Sequence, residues 1–161
     1  MAEERTMIQA NDREKGLYLQ DLNVGQKFVS GTYQMDADQI KAFAREYDPQ
    51  PFHLDEQAAR QTVFAGLAAS GWHTAAVAMR LLVTGGLPLA NGIIGTGGDL
   101  QWPKPTRVGD TLHVESEILE IVPSRSKPNQ AIVEVRSTTL NQNGEAVHIF
   151  TSKVIVFKRP G

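Results

Sequence analysis

With 161 residues, a formal charge of -2 from 16 Lys and Arg against 18 Asp and Glu, and no cysteine, the chain is sized for one domain around one buried core. The near-even charge balance gives no electrostatic case for nucleic acid or an anionic membrane, although it leaves room for a local basic patch. Without cysteine there is no disulfide, thiolate nucleophile or cysteine-based zinc or iron-sulfur site, so chemistry falls to histidine and carboxylates and a reducing cytoplasm is the expected compartment.

The opening stretch MAEERTMIQANDREKG is polar and charged and lacks the apolar segment of a secretory signal. Nowhere do about 18 apolar residues run together as a membrane-spanning helix requires. A soluble, cytoplasmic protein without a membrane partner is expected, with residues 1–15 as a flexible N-terminal arm and 16–161 as a single domain.

After the turn-like Asn23-Val24-Gly25, Phe28, Val29 and Tyr33 predict a short strand. Asp36, with Gln39 three residues on, has the spacing of a helix cap, and Ile40, Phe43, Ala44 and Tyr47 follow at helical intervals. Pro49 disfavours helix at Asp48, so this helix stops there. Asp48 and His53 are then expected on a loop stiffened by Pro49 and Pro51, and Asp55 caps a short helix to about Gln61.

A longer helix is predicted from Gly71 to Thr84. Trp72, Ala75, Ala76, Met79, Leu82 and Val83 form the stripe of a half-buried helix, and His73, Val77, Arg80 and Thr84 occupy the other side. Gly85-Gly86 and Pro88 end it. Residues 93–102, 111–122, 131–140 and 146–157 are rich in Val, Ile, Thr and aromatics and read as strands, the last two joined by the hairpin signal Asn143-Gly144. Val133, Val135, Ser137 and Thr139 alternate with Glu134, Arg136 and Thr138, so that strand wets one face.

A strand, then helices, then an antiparallel meander places the chain in the α+β class as a single hotdog fold, an antiparallel sheet wrapped around one long central helix. Such a unit alone leaves a sheet edge and a helix flank uncovered, so a homodimer or higher homo-oligomer is expected.

Asp48 and His53, five residues apart, can hold one water between a carboxylate and an imidazole, an arrangement suited to general acid-base catalysis. The spacing alone also arises often by accident, from an Asp that caps a turn and a structural His. Gly71 opens the long helix, where a free amide and the helix dipole favour developing negative charge, although a tight turn also explains it. The glycine run Gly95-Thr96-Gly97-Gly98 leads into a strand and reads as a bulge or crowded backbone, and not as a phosphate loop. His73, His113 and His148 lack metal-ligand spacing, so no metal is expected. Lys104 and Arg107 form a basic loop that either stays solvated or meets phosphates.

The segment around these residues resembles the MaoC-like dehydratase family, whose R-specific enoyl-CoA hydratases carry Gly-Asp-x-Asn-Pro-[Leu/Ile]-His-x-Asp followed by a His-Gly pair opening the hotdog helix. Asp48, Pro51, His53 and Asp55 match the signature, and Gly71 falls on the family's glycine. Trp102-Pro103 through Val108-Gly109-Asp110-Thr111-Leu112 resembles a second family segment, and the likeness covers residues 21–157. It implies that Asp48 and His53 form a catalytic pair and that the Gly71 amide is the oxyanion donor. The implied reaction adds water to a trans-2-enoyl thioester, of coenzyme A or an acyl-carrier protein, to give the (R)-3-hydroxyacyl thioester, or runs in reverse.

No cofactor is implied beyond coenzyme A as part of the substrate. Three positions depart from the pattern: Tyr47 for Gly, Gln50 for Asn and Ser70 for His. These residues, together with Trp72, Lys104 and Arg107, are the expected substrate-binding positions. The other two readings are an acyl-CoA thioesterase and a non-catalytic acyl-thioester-binding accessory subunit.

Overall fold

The computed structural model describes residues 16–161, and the arm expected over residues 1–15 lies outside the described residues. The elements run β1 (Lys27–Gln34), α1 (Ala37–Tyr47), α2 (Pro51–Leu54), α3 (Glu56–Arg60), α4 (Gly71–Leu81), β2 (Ile94–Gln101), β3 (Thr111–Pro123), β4 (Gln130–Leu140) and β5 (Ala146–Phe157). One five-stranded antiparallel sheet has the order β1-β3-β4-β5-β2, and α4 packs against β1, β3 and β5. This is the expected hotdog.

Local chemistry sets these boundaries. The Asp36 carboxylate accepts from the Gln39 amide at 2.8 Å and starts α1. The Gln39 side chain does not complete a capping box; it accepts from the Tyr33 hydroxyl at 2.9 Å. Asp48 ends α1 as its C-cap. The β4–β5 hairpin turns at Gly144, whose φ of 73° is left-handed. Along β4, Val133, Val135, Ser137 and Thr139 are buried and Arg136 is exposed, as the alternation requires.

Three expectations change. Pro51 does more than stiffen a loop: it occupies the first position of α2, where its fixed φ is pre-set for helix, so His53 stands on a one-turn helix. The meander holds for β3-β4-β5 only. β2 lies at the far edge beside β5, because residues 102–110 return over the start of α4, held by Ala69 N–H donating to Thr106 O at 2.9 Å and a bridge between Ala68 and Arg107.

The third change concerns α4. Its buried face is His73, Thr74, Val77, Ala78 and Leu81, whereas Trp72, Met79 and Val83 of the expected stripe are 59%, 39% and 58% exposed. Residues 82–86 continue it as a π-turn, closed by the Leu87 N–H donating to the Leu82 carbonyl at 2.9 Å.

The core joins Val77, Ala78 and Leu81 of α4 to Phe28, Leu112, Val114, Ile118, Val133, Val135 and Val154 of the sheet and to Ile40 of α1. Each large apolar side chain buried there contributes about 1.5–3 kcal/mol. The glycine run of β2 carries the expected bulge, between Gly95 and Gly97. A Cβ on Gly98 would fall 2.6 Å from the Thr151 carbonyl, so the close approach to β5 requires glycine there. Among the described residues no helix is long and apolar enough to cross a membrane.

Candidate active site

A cavity of about 440 Å³ opens where α1 ends and α4 begins; its walls include Asp48, Gln50, Phe52, His53, Phe64, Gly71, Trp72, Thr74, Trp102, Lys104, Thr106 and Val147. His53 is 5% exposed. Its Nδ1 lies 2.6 Å from the Ala68 carbonyl. A carbonyl only accepts, so Nδ1 carries the hydrogen, and Nε2, the other ring nitrogen, is left to the cavity side, 3.2 Å from Asp48 Oδ2. A neutral Nε2 and a carboxylate both accept, so this contact is attractive when a proton lies between them.

Asp48 is held on its other oxygen by Gln50, whose Nε2 donates to Oδ1 at 2.6 Å. Burial raises the Asp48 pKa, but hydrogen bonds from Ser70 and Gln50 and the neighbouring His53 outweigh it, and the net shift is downward. The site therefore keeps an ionised carboxylate. The extra methylene of Gln50, relative to the Asn of the resembled signature, does not prevent its amide from reaching Asp48.

Backbone tethers hold the two halves together. Ala68 N–H donates to the Phe52 carbonyl at 3.1 Å, and Ala69 N–H to Thr106. The segment preceding α4 is thus tied both to the helix of His53 and to the 102–110 loop. Ser70, fully buried, caps α4 by accepting from the Trp72 amide at 3.3 Å. Gly71 follows as the first helical residue; its amide has no intrahelical acceptor and no partner among the described residues.

The structure brings Asp48, Gln50, His53, Gly71, Trp72 and Lys104 to one cavity and sets Ser70 beside Asp48. It places two residues elsewhere. Tyr47 is 66% exposed and packs on Phe43, with ring centroids 5.0 Å apart, because the last turn of α1 points its side chain away from the cavity. Arg107 is occupied by backbone: its guanidinium donates to the Gly66 carbonyl at 3.1 Å and the Phe64 carbonyl at 2.5 Å, so it clips the loop after α3 and does not line this cavity. Lys104 stands at the rim, paired with Glu145.

Sequence reasoning missed Phe52, Phe64 and the buried hydroxyl pair Thr74–Thr106, 2.9 Å apart. Phe52 adjoins His53 in the chain and was findable. Thr106 was not, because only the return of the loop over α4 brings it to Thr74. Among the described residues no three His, Asp or Glu side chains gather as a metal cage would need.

A hotdog fold with this loop-and-helix site defines the class, and comparison with known proteins narrows it. The model of the MaoC like domain matches residues 21–141. The chain belongs to the MaoC-like dehydratase family. It is similar to a MaoC-like dehydratase structure from Rhodospirillum rubrum, at 63% identity and a TM-score of 0.90, over 91% of this chain and 100% of that one. An unliganded R-hydratase from Pseudomonas aeruginosa aligns at 29% identity and a TM-score of 0.74, over 89% and 88% of the two chains. The 3-hydroxybutyryl-CoA dehydratase of Methylorubrum extorquens is 29% identical over 131 residues, 81% of this chain and 82% of that relative.

Proposed function

We propose that the protein catalyses reversible syn hydration of a trans-2-enoyl thioester, as the coenzyme A or carrier-protein ester, to the (R)-3-hydroxyacyl thioester. The observation that carries this reading is the placement of Asp48, His53 and the free Gly71 amide around one cavity, with Asp48 anchored by Gln50. The names of an R-hydratase and a 3-hydroxybutyryl-CoA dehydratase among its relatives support it.

In the hydration direction one water on the cavity side hydrogen-bonds to both the Asp48 carboxylate and His53 Nε2, which are themselves in contact. Its oxygen bonds to C3, the pair accepts one of its protons, and a proton is delivered to C2. As the C2–C3 π electrons move towards the carbonyl, the thioester oxygen gains charge and accepts a hydrogen bond from the Gly71 amide. Donors placed at developing charge are worth about 3 kcal/mol each, and the acid-base pair about 10²–10⁴-fold. Only side chains and one backbone amide take part. Gln50 and Ser70 steady the carboxylate, and Trp72 and Lys104 border the thioester's path to solvent.

The test is loss of enoyl ultraviolet absorbance across a panel of enoyl-CoAs, with Asp48→Asn as control. Absence of turnover at every chain length would sink the reading. Release of free thiol with the double bond intact would identify a thioesterase instead.

We further propose a homodimer, supported by the exposed Trp72 and Met79 on α4 and Val83 on the π-turn after it, and by the exposed edge strand β2.

A further inference from the structure

Gly71 is gripped by a side chain that the reaction scheme leaves unused. Trp102, the first residue after β2, lays its indole on the glycine: a Cβ at position 71 would fall 2.8 Å from Cε2 and 2.9 Å from Nε1. The same indole donates its N–H to the Gly71 carbonyl at 2.9 Å. Trp72 meets Trp102 edge to face, with centroids 5.3 Å apart and planes at 83°. The Trp72 amide is in turn bound to the Ser70 hydroxyl. Ser70, Trp72, Trp102 and Gly71 thereby form a closed ring of contacts around the first turn of α4.

An oxyanion donor needs such a device. Glycine has the widest backbone freedom, helix ends fray, and a hydrogen bond weakens steeply as its angle departs from linear. The Gly71 amide and carbonyl flank one Cα. A bond to the carbonyl combined with a flat ring against that Cα limits rotation on both sides, so the amide keeps its aim. The ring also occupies the space that any side chain at position 71 would need.

We propose that Trp102 is a positioning residue that holds the Gly71 amide on the thioester oxygen, through its indole N–H on the Gly71 carbonyl and its ring on the Gly71 Cα. The proposal rests on the hydratase reading, and it assigns to Trp102 an effect on carbonyl polarisation and kcat that a simple pocket wall would not have.

Two measurements on Trp102→Phe, which keeps an aromatic ring and removes the N–H, decide it. The first is kcat and KM for crotonyl-CoA. The second is the absorption of saturating hexadienoyl-CoA in an Asp48→Asn background, where turnover is slowed and the dienoyl band moves to longer wavelength as the carbonyl is polarised. The expected result is a fall in kcat of about 10- to 100-fold with KM little changed, and a smaller red shift.

Trp102→His returns a ring N–H and is expected to recover part of both losses. An unchanged kcat, or a reduced kcat with the full red shift, overturns the proposal, as does a folded Trp102→His variant that recovers neither. Folding of each variant is read from its thermal melt. A parent protein that red-shifts the probe but hydrates no enoyl-CoA overturns the hydratase reading and leaves the clamp standing, provided Trp102→Phe lessens the shift. A parent that does neither overturns both.

Discussion

His53 donates from Nδ1 to the carbonyl of Ala68, fifteen residues further along the chain, at 2.6 Å. This one bond joins α2 to the strap that leads into α4, and it fixes which ring nitrogen faces Asp48. His53→Gln, which retains an amide but no basic ring nitrogen, is expected to lower hydratase kcat by about 10²–10⁴-fold, as is Asp48→Asn. Steady-state rates on crotonyl-CoA check this, with circular dichroism confirming that both variants fold.

The depressed pKa of Asp48 sets an acid limit. The carboxylate stays ionised until the pH falls through its lowered folded value, so hydratase activity is expected to extend below the pH at which an ordinary carboxylate protonates. Its stabilising contribution is likewise present above the unfolded pKa and lost as the pH drops through the folded one. Gln50→Leu removes a donor at 2.6 Å and is expected to move the acid limb of the kcat profile upward. A limb unchanged in that variant would show that the Gln50 bond does not tune the carboxylate.

His148 predicts a separate stability trend. Burial lowers its pKa from 6.5 to about 4, and its Nε2 has no partner among the described residues. The unfolded chain takes up this proton near pH 6.5 while the folded chain resists it until about pH 4, so stability falls as the pH drops through that window. His148→Leu, which cannot titrate, is expected to melt with a shallower dependence between pH 7 and pH 4 than the parent. Equal slopes would refute the assignment.

Much of this site was legible in the sequence because its signals are local. Pro49 ending α1, Asp36 and Asp55 as caps, and Asn143-Gly144 as a hairpin each act through neighbours a few residues away. Arg107 and Tyr47 were not legible, since a basic or aromatic residue near a motif is assigned by which way its backbone turns. The α4 stripe shows the same limit: helical spacing identified Trp72, Met79 and Val83 as one face, but periodicity cannot say whether a face meets its own sheet. The far-edge position of β2 depends on a loop returning over α4, a long-range event that strand propensity does not encode.

Arg107 and Lys104 should separate cleanly. Arg107→Ala leaves the Phe64 and Gly66 carbonyls without their cationic donor, and hydrogen bonds to charged groups contribute about 1.5–3 kcal/mol. A stability loss on the order of 2 kcal/mol is expected in urea denaturation. Lys104→Ala removes an exposed, solvent-screened pair with Glu145 and should leave stability nearly unchanged. Comparable losses in the two variants would contradict the distinction between a structural clip and a rim charge.

The exposed face of α4 yields the test of assembly. Trp72, Met79 and Val83 are spaced to share one flank of the helix and its π-turn, while β2 leaves its outer edge unpaired among the described residues. Unpaired strand edges and contiguous apolar surface both favour association. A second copy related by a twofold axis can cover the two together. Met79→Glu places a charge in the middle of that flank without touching the buried Val77, Ala78 and Leu81 face, so light scattering is expected to show a folded monomer for the variant and a dimer for the parent. Because Trp72 lies both on this flank and in the cavity, the monomer should also lose turnover. A Met79→Glu protein that remains dimeric at low micromolar concentration would place the interface elsewhere, and a fully active monomer would show that one chain completes the site alone.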